Sequence, residues 1–208
     1  MNIGIIGSGN VGSALGKRWT AAGHKIKFGV RDPGKPEVLA LLQTPGISAG
    51  SVADAAGFGE VVVLTTPWNA TEAALQSAGN LDGKIVVDCT NPLKPDLSGF
   101  SIGHETSAAE QVARWAIGAR VVKCFNTTGA DNMANPKYGT DRVIMFLAGN
   151  DAAAKAVVMK LGEDLGFEMV DAGDLSAARL LEPVAMLWIH LAYKRGFGRN
   201  FAFKLLRR

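Results

Sequence analysis

Three glycines, Gly7, Gly9 and Gly12, stand in the stretch IIGSGNVGSALG, directly after an apolar run that opens the chain. Between a strand and the mouth of a helix, that spacing suits a diphosphate. Gly7 permits the tight turn, Gly9 lets the backbone approach the pyrophosphate, and Gly12 lets helix and strand pack closely. Helix N–H groups and the macrodipole then meet the negative charge. Further on, residues 28–35 read FGVRDPGK. Here, at the end of its second strand, an NAD-selective site carries Asp or Glu to accept from the ribose 2′-hydroxyl. This chain has Val30 and then Arg31, with Lys35 in the same loop. A planar guanidinium fork and an ammonium suit a dianionic 2′-phosphate, so the expected cofactor is NADP(H). Asp32 is the nearby carboxylate; it either reaches the ribose, or points to solvent or caps the next helix.

The other strand ends read TTPWN (65–69), CTNPLKP (89–95) and CFNTTGADNM (124–133). Thr66 and Asn91 are hydrogen-bonding groups on turns that Pro67 and Pro92 stiffen. Ligands of open α/β sheets bind at the strands' carboxyl ends, so these three segments and the glycine loop belong to one crevice.

Acid–base chemistry is thinly provided. His24 lies in the turn before the second strand, at the edge opposite the crevice, and is expected to be exposed. His190 sits in an apolar C-terminal stretch and reads as a packed residue. His104, in FSIGHETS, is the single plausible acid or base. Lys123 falls inside a strand, and its side chain emerges on either face. No Ser-His-Asp order or metal-ligand cluster is evident. Only residues 176–208 follow the last strand, too few for the helical domain of a hydroxyacid dehydrogenase. The expectation is hydride exchange with a small redox acceptor that brings its own chemistry. Flavin-like rings fit, because the protein need only stack two planes and exclude water. Two alternatives stay open: reduction of a small carbonyl or imine with His104 as acid, and a non-catalytic NADPH-binding module.

These residues need a scaffold, and the apolar pattern supplies one. Strands are expected at 2–6, 25–30, 61–65, 85–89, 121–125, 143–148 and 168–170, and helices at 10–22, 68–78, 107–117 and 151–165. Ser107 with Glu110, and Asp151, are candidate helix caps. Strand–helix repetition implies an α/β fold, a doubly wound and mostly parallel Rossmann sheet, over residues 1–175. Residues 176–208 form a short helical appendage completing the substrate pocket, with Ser176 as cap and Pro183 opening a second helix. From Val184 to Tyr193 the chain is apolar on nearly every side, so this segment packs on its own sheet or on a second subunit. A homodimer through these helices is expected. The net charge of +3 gives no case for nucleic-acid binding. Cys89 and Cys124 read as buried, reduced thiols. There is no signal-peptide start, and no apolar stretch is read as spanning a bilayer, so a cytoplasmic location is expected. The basic run Lys194, Arg195, Arg199, Lys204, Arg207 and Arg208 reads as a solvated tail.

The segments MNIGIIGSGNVGSALGKRWTAAGHKIKFGVRDPGK, VVLTTPWNA, VVKCFNTTGADNM, MFLAGND and DAGDLSAARLLEP resemble, in order, the NADP-dependent oxidoreductases of coenzyme F420, a deazaflavin. They are also similar to the cytoplasmic oxidoreductase domain of six-transmembrane metalloreductases. The resemblance implies NADPH contacts from Ser8, Gly9, Asn10 and Val11 at the diphosphate, and from Val30, Arg31 and Lys35 at the 2′-phosphate. It implies Thr66, Asn91 and Ala130 along the remaining cofactor. In such enzymes hydride passes directly between stacked rings without an essential acid or base. The FNTTG loop is closer to the metalloreductase version, which keeps an ordinary flavin beside the deazaflavin as acceptor.

Overall fold

Runs of Val and Ile become strands because helices cover both faces of the sheet they build. The computed structural model describes residues 1–103, 105–206 and 208. Its eight-stranded sheet contains β1 (Asn2–Ile6), β2 (Lys25–Gly29), β3 (Ile47–Gly50), β4 (Val61–Leu64), β5 (Ile85–Asp88), β6 (Arg120–Cys124), β9 (Ile144–Gly149) and β10 (Glu168–Asp171). Between the strands run α1 (Asn10–Ala21), α2 (Pro36–Leu42), α3 (Val52–Phe58), α4 (Trp68–Ala78), α5 (Ala108–Trp115), α6 (Ala130–Ala134) and α7 (Ala152–Leu165), and α8 (Ala178–Ile189) follows the last strand. The strand order is β10-β9-β6-β5-β4-β1-β2-β3. From β1 the chain winds outward to β3, then returns past β1 to β4. That reversal opens a crevice at the carboxyl ends of β1 and β4.

The neighbours are parallel except β6 and β9, which run antiparallel. Parallel strands need a long crossover. Between β6 and β9 there is only the five-residue α6 and a small hairpin, β7 (Lys137–Tyr138) with β8 (Asp141–Arg142), so the chain returns the other way. The core holds Trp19, whose indole N–H donates to the Leu161 carbonyl at 3.0 Å and whose ring meets Phe125 edge-on.

Residues 36–58 contain three elements absent from the expected set, although the first, α2, reads PEVLALL with Pro at its start and buries Val38 and Leu41. The edge strand β3, ISAG, buries only Ile47 fully. A reciprocal cap starts α3: the Ser51 hydroxyl accepts from the Asp54 N–H at 3.0 Å, and the Ser51 N–H donates to the Asp54 carboxylate at 2.9 Å. At α5 the expected cap is half made. Ser107 accepts from the Glu110 N–H, while the Glu110 carboxylate takes the Ser107 hydroxyl and Arg179 instead. Asp151 caps α7 through the Ala154 N–H at 2.7 Å.

The C-terminal segment departs from expectation in several ways. Asp174, not Ser176, provides the cap, accepting from the Ser176 N–H at 3.1 Å. Pro183 opens no new helix but lies inside α8. It faces solvent, where water can satisfy the carbonyl one turn earlier. After a π-helical turn at His190–Lys194 the chain is non-helical and folds back. Phe201 stacks on Trp188 with centroids 5.2 Å apart, and its carbonyl accepts from the Trp188 indole N–H. His190 is exposed rather than packed, whereas His24 is partly buried and 3.2 Å from Asp164. The basic run is partly paired, Arg199 with Asp131 and Lys204 with Asp141; Arg207 lies outside the described residues.

The stretch Leu175–Lys194 is long and apolar enough to cross a membrane by length and composition only, at mean hydropathy 1.2. Its inner face, however, is used within the domain. Leu181, Ala185 and Trp188 are buried there, as is the charged Glu182. The outer face leaves Leu180, Leu187 and Tyr193 exposed.

Candidate active site

At the end of β1 the backbone must turn sharply, and Gly7 does so with φ near +107°, a region side chains disfavour. Its N–H donates to the Gly29 carbonyl, and its carbonyl accepts from the Thr65 hydroxyl at 2.9 Å. The loop is thereby pinned between β2 and β4. Gly12 lies under it: a Cβ there would come within 2.2 Å of the Gly7 carbonyl oxygen. Gly9 is the reverse case, with nothing within 4 Å of where a Cβ would stand. From below, the Ser13 hydroxyl bridges the Ser8 and Gly9 carbonyls at 2.7 and 2.8 Å. The N-terminus of α1 has no side-chain cap and no acidic residue in its first turn. Its free N–H groups therefore suit an external anion.

These elements frame a cavity of about 630 Å³. Gly7, Ser8, Gly9, Asn10 and Val11 line it, as do Val30, Arg31, Lys35, Thr66, Pro67 and Asn91. Gly12, Pro92 and Ala130 do not. Gly12 supports the glycine turn, and the Pro92 carbonyl anchors the following loop through Ser101. Ala130 begins α6, beyond the wall. His104 lies outside the described residues. Arg31 and Lys35 are exposed on the rim and form no ion pair among the described residues. Asp32 turns its carboxylate into its own loop, accepting from the Gly34 N–H at 2.9 Å. Glu37 also reaches the wall, so this end of the cavity carries charges of both signs.

One wall carries no motif that the sequence reading singled out. Ala70, Ala73, Ala74 and Ser77 of α4 all face the cavity. Their spacing of three and four residues marks one helix face, and their smallness is the signal that could have found it. Cys89 and Thr90 also contribute. Both cysteines are free and buried, and burial pushes the Cys89 thiol well above its ordinary pKa.

Behind Thr90 lies a charge cluster. The Lys123 side chain is wholly buried, its ammonium 2.9 Å from Asp88 and 2.9 Å from Glu182. It also donates to the Thr90 carbonyl. Asp88 in turn accepts from the Thr90 N–H at 2.9 Å and hydroxyl at 2.7 Å. Glu182 accepts from the N–H groups of Ala108 and Ala109, at the start of α5. Burial opposes the Lys123 charge, but the two carboxylates outweigh it and keep its pKa raised. Burial also pushes Glu182 above the ordinary carboxylate range, against the pull of Lys123. Next along the loop, Asn91 and Asn126 exchange hydrogen bonds at 3.1 Å, and Asn126 also donates to the Leu181 carbonyl of α8. The Asn126 side-chain oxygen is buried without a partner among the described residues.

The model of the family described as "NADP oxidoreductase coenzyme F420-dependent" matches residues 2–92. The F420-dependent NADP reductase of Methanothermobacter thermautotrophicus is 30% identical over 92% of this chain and 89% of its own. The rat metalloreductase STEAP3 is 28% identical over 88% of this chain, which spans only 36% of that protein. Among solved structures, a candidate F420-dependent NADP-reductase from Arthrobacter sp. FB24 superposes at TM-score 0.90, with 35% identity over 99% of both chains. A glycine turn on β1, a cation pair after β2 and an end-to-end match to one group of reductases agree: the chain belongs to the coenzyme F420-dependent NADP oxidoreductase family.

Proposed function

We propose that this chain transfers hydride between NADP(H) and a planar deazaflavin or flavin ring stacked on the nicotinamide. The observation that carries this reading is the full-length likeness to the F420-dependent NADP reductase, joined to a cavity with two cations on the rim of its adenosine end. Bound NADPH would supply the hydride, a proton carried with two electrons, and become NADP⁺. The chain's own residues do the rest by position. Ser8, Gly9, Asn10 and Val11 hold the diphosphate with backbone N–H groups, while Arg31 and Lys35 with the Val30 backbone take the 2′-phosphate. Thr66, Pro67 and Asn91 flank the nicotinamide half, while Pro92 and Ala130 stand behind the wall and support its loops. Residues 176–208 are proposed to complete the acceptor's pocket from behind the loop after β6. Trp188 packs so closely on Gly129 that a Cβ there would meet its ring at 2.4 Å, though none of the described residues of this segment lines the cavity itself.

The test is a panel of NADPH oxidation against F420, FMN, a small carbonyl and an imine. Oxidation only by the ring acceptors, unchanged in a His104→Ala variant, is expected. Turnover confined to the carbonyl or imine and lost with His104 would replace this reading. Tight NADPH binding with no oxidation would mark a binding module.

The outer face of α8, with Leu180, Leu187 and Tyr193 exposed, is proposed to pair with a second copy of the chain. Light scattering at micromolar concentration should give the dimer mass, and Leu187→Glu should return the monomer. A wild-type monomer mass would remove the dimer.

A further inference from the structure

Lys123, Asp88 and Glu182 are buried charges that the cofactor reading does not use. A buried ion cluster is weak evidence for stability, because desolvation cancels much of the attraction and well-packed apolar residues often serve as well. What this cluster does uniquely is join elements. Asp88 ends β5, Lys123 lies on β6, and Glu182 belongs to α8 while holding the start of α5. The N–H, hydroxyl and carbonyl of Thr90 are all drawn inward by Asp88 and Lys123. Thr90 and Asn91 are cavity wall, on the side of β1 opposite Arg31 and Lys35. In a doubly wound sheet that side takes the nicotinamide half.

We infer that the buried Lys123–Asp88–Glu182 triad is a positioning device, which sets the Thr90–Asn91 wall and locks α8 over it, so that the nicotinamide half is held at one place beneath the acceptor. The inference deepens the proposed function and rests on its cofactor reading. Asn91 follows the clamped Thr90 and accepts from the Asn126 side-chain amide, so the wall is tied to the loop after β6 as well. Among the described residues Arg31 and Lys35, at the adenosine end, share no hydrogen bond or ion pair with the triad.

Titrating the full chain with NADPH and with 2′,5′-ADP separates the two ends. In Lys123→Met, NADPH should bind about tenfold more weakly, the scale of a single hydrogen bond, while 2′,5′-ADP stays within about twofold. Glu182→Gln keeps the side chain's size and an acceptor for α5, and should shift the same ratio by about threefold. It decides the matter if Lys123→Met does not fold. Parallel losses for both ligands, or an unchanged ratio in folded variants, would overturn the inference. Failure of the unaltered chain to bind NADPH at all would instead strike the cofactor reading, and the inference with it.

Discussion

Arg31→Ala is expected to weaken NADPH about 10- to 100-fold, the worth of one charge-assisted hydrogen bond, while NADH changes by less than about threefold. The guanidinium stands on the cavity rim after β2, and among the described residues it has no internal carboxylate partner to satisfy. Its removal therefore leaves no buried charge behind, and the melting temperature should stay put. Lys35 is the N-cap residue of α2 but makes no side-chain capping bond, so Lys35→Ala should also act on affinity alone. A compact ammonium contributes charge without the fork's geometry, and its loss should be the smaller of the two. In the double variant NADPH and NADH should bind almost equally. Asp32 also lines the cavity, with one carboxylate oxygen accepting from Gly34 and the other uncommitted among the described residues, so an Asp32→Ala variant reads its share in NADH binding. Fluorescence titration of both cofactors reads the result; equal losses for both in Arg31→Ala would show that the adenosine ribose lies elsewhere.

Two neighbouring glycines should fail in different ways. Gly9 has φ near −69° and open space where a Cβ would go, so Gly9→Ala should fold with an unchanged melting temperature. Its new methyl group projects toward the space a diphosphate would occupy, and NADPH affinity should fall about tenfold or more. Gly12→Ala drives a Cβ to 2.2 Å from the Gly7 carbonyl and 2.7 Å from the Thr65 hydroxyl. Backbone cannot yield there without parting α1 from β1, so overpacking of about 1–3 kcal/mol or more should lower the melting temperature outright. A paired thermal melt and NADPH titration on each variant distinguishes the two. If Gly9→Ala binds NADPH as before, the diphosphate does not cross that turn.

Much of this architecture was legible because the signals are local. Runs such as VVVL and IVVD identify covered strands from their own composition, and α4 begins and ends where its pattern does. The glycine spacing and the Arg31–Lys35 pair need only neighbouring residues to be understood. Residues 36–58 were harder: β3 is a short, half-exposed edge strand, and α3 is mostly small residues that pack against β1. The signals there were the apolar PEVLALL of α2 and the Ser51–Asp54 cap of α3.

What the sequence determined by itself is the alternation of strands and helices, the spacing of the glycines after β1 and the cations after β2, since each is written in a few neighbouring residues. The partners that pin the glycine turn, Gly29 and Thr65, come from other strands. Tertiary structure alone decided that β9 runs antiparallel to β6, that Pro183 sits within a helix, and that α8 buries one face on its own domain. It also decided the fate of Lys123. A lysine within a strand carries no mark of which face it takes; only the approach of Asp88, 35 residues away, and of Glu182 from another helix makes burying its charge tolerable. Such partners are brought together by the sheet's winding, and nothing in the residues beside Lys123 names them.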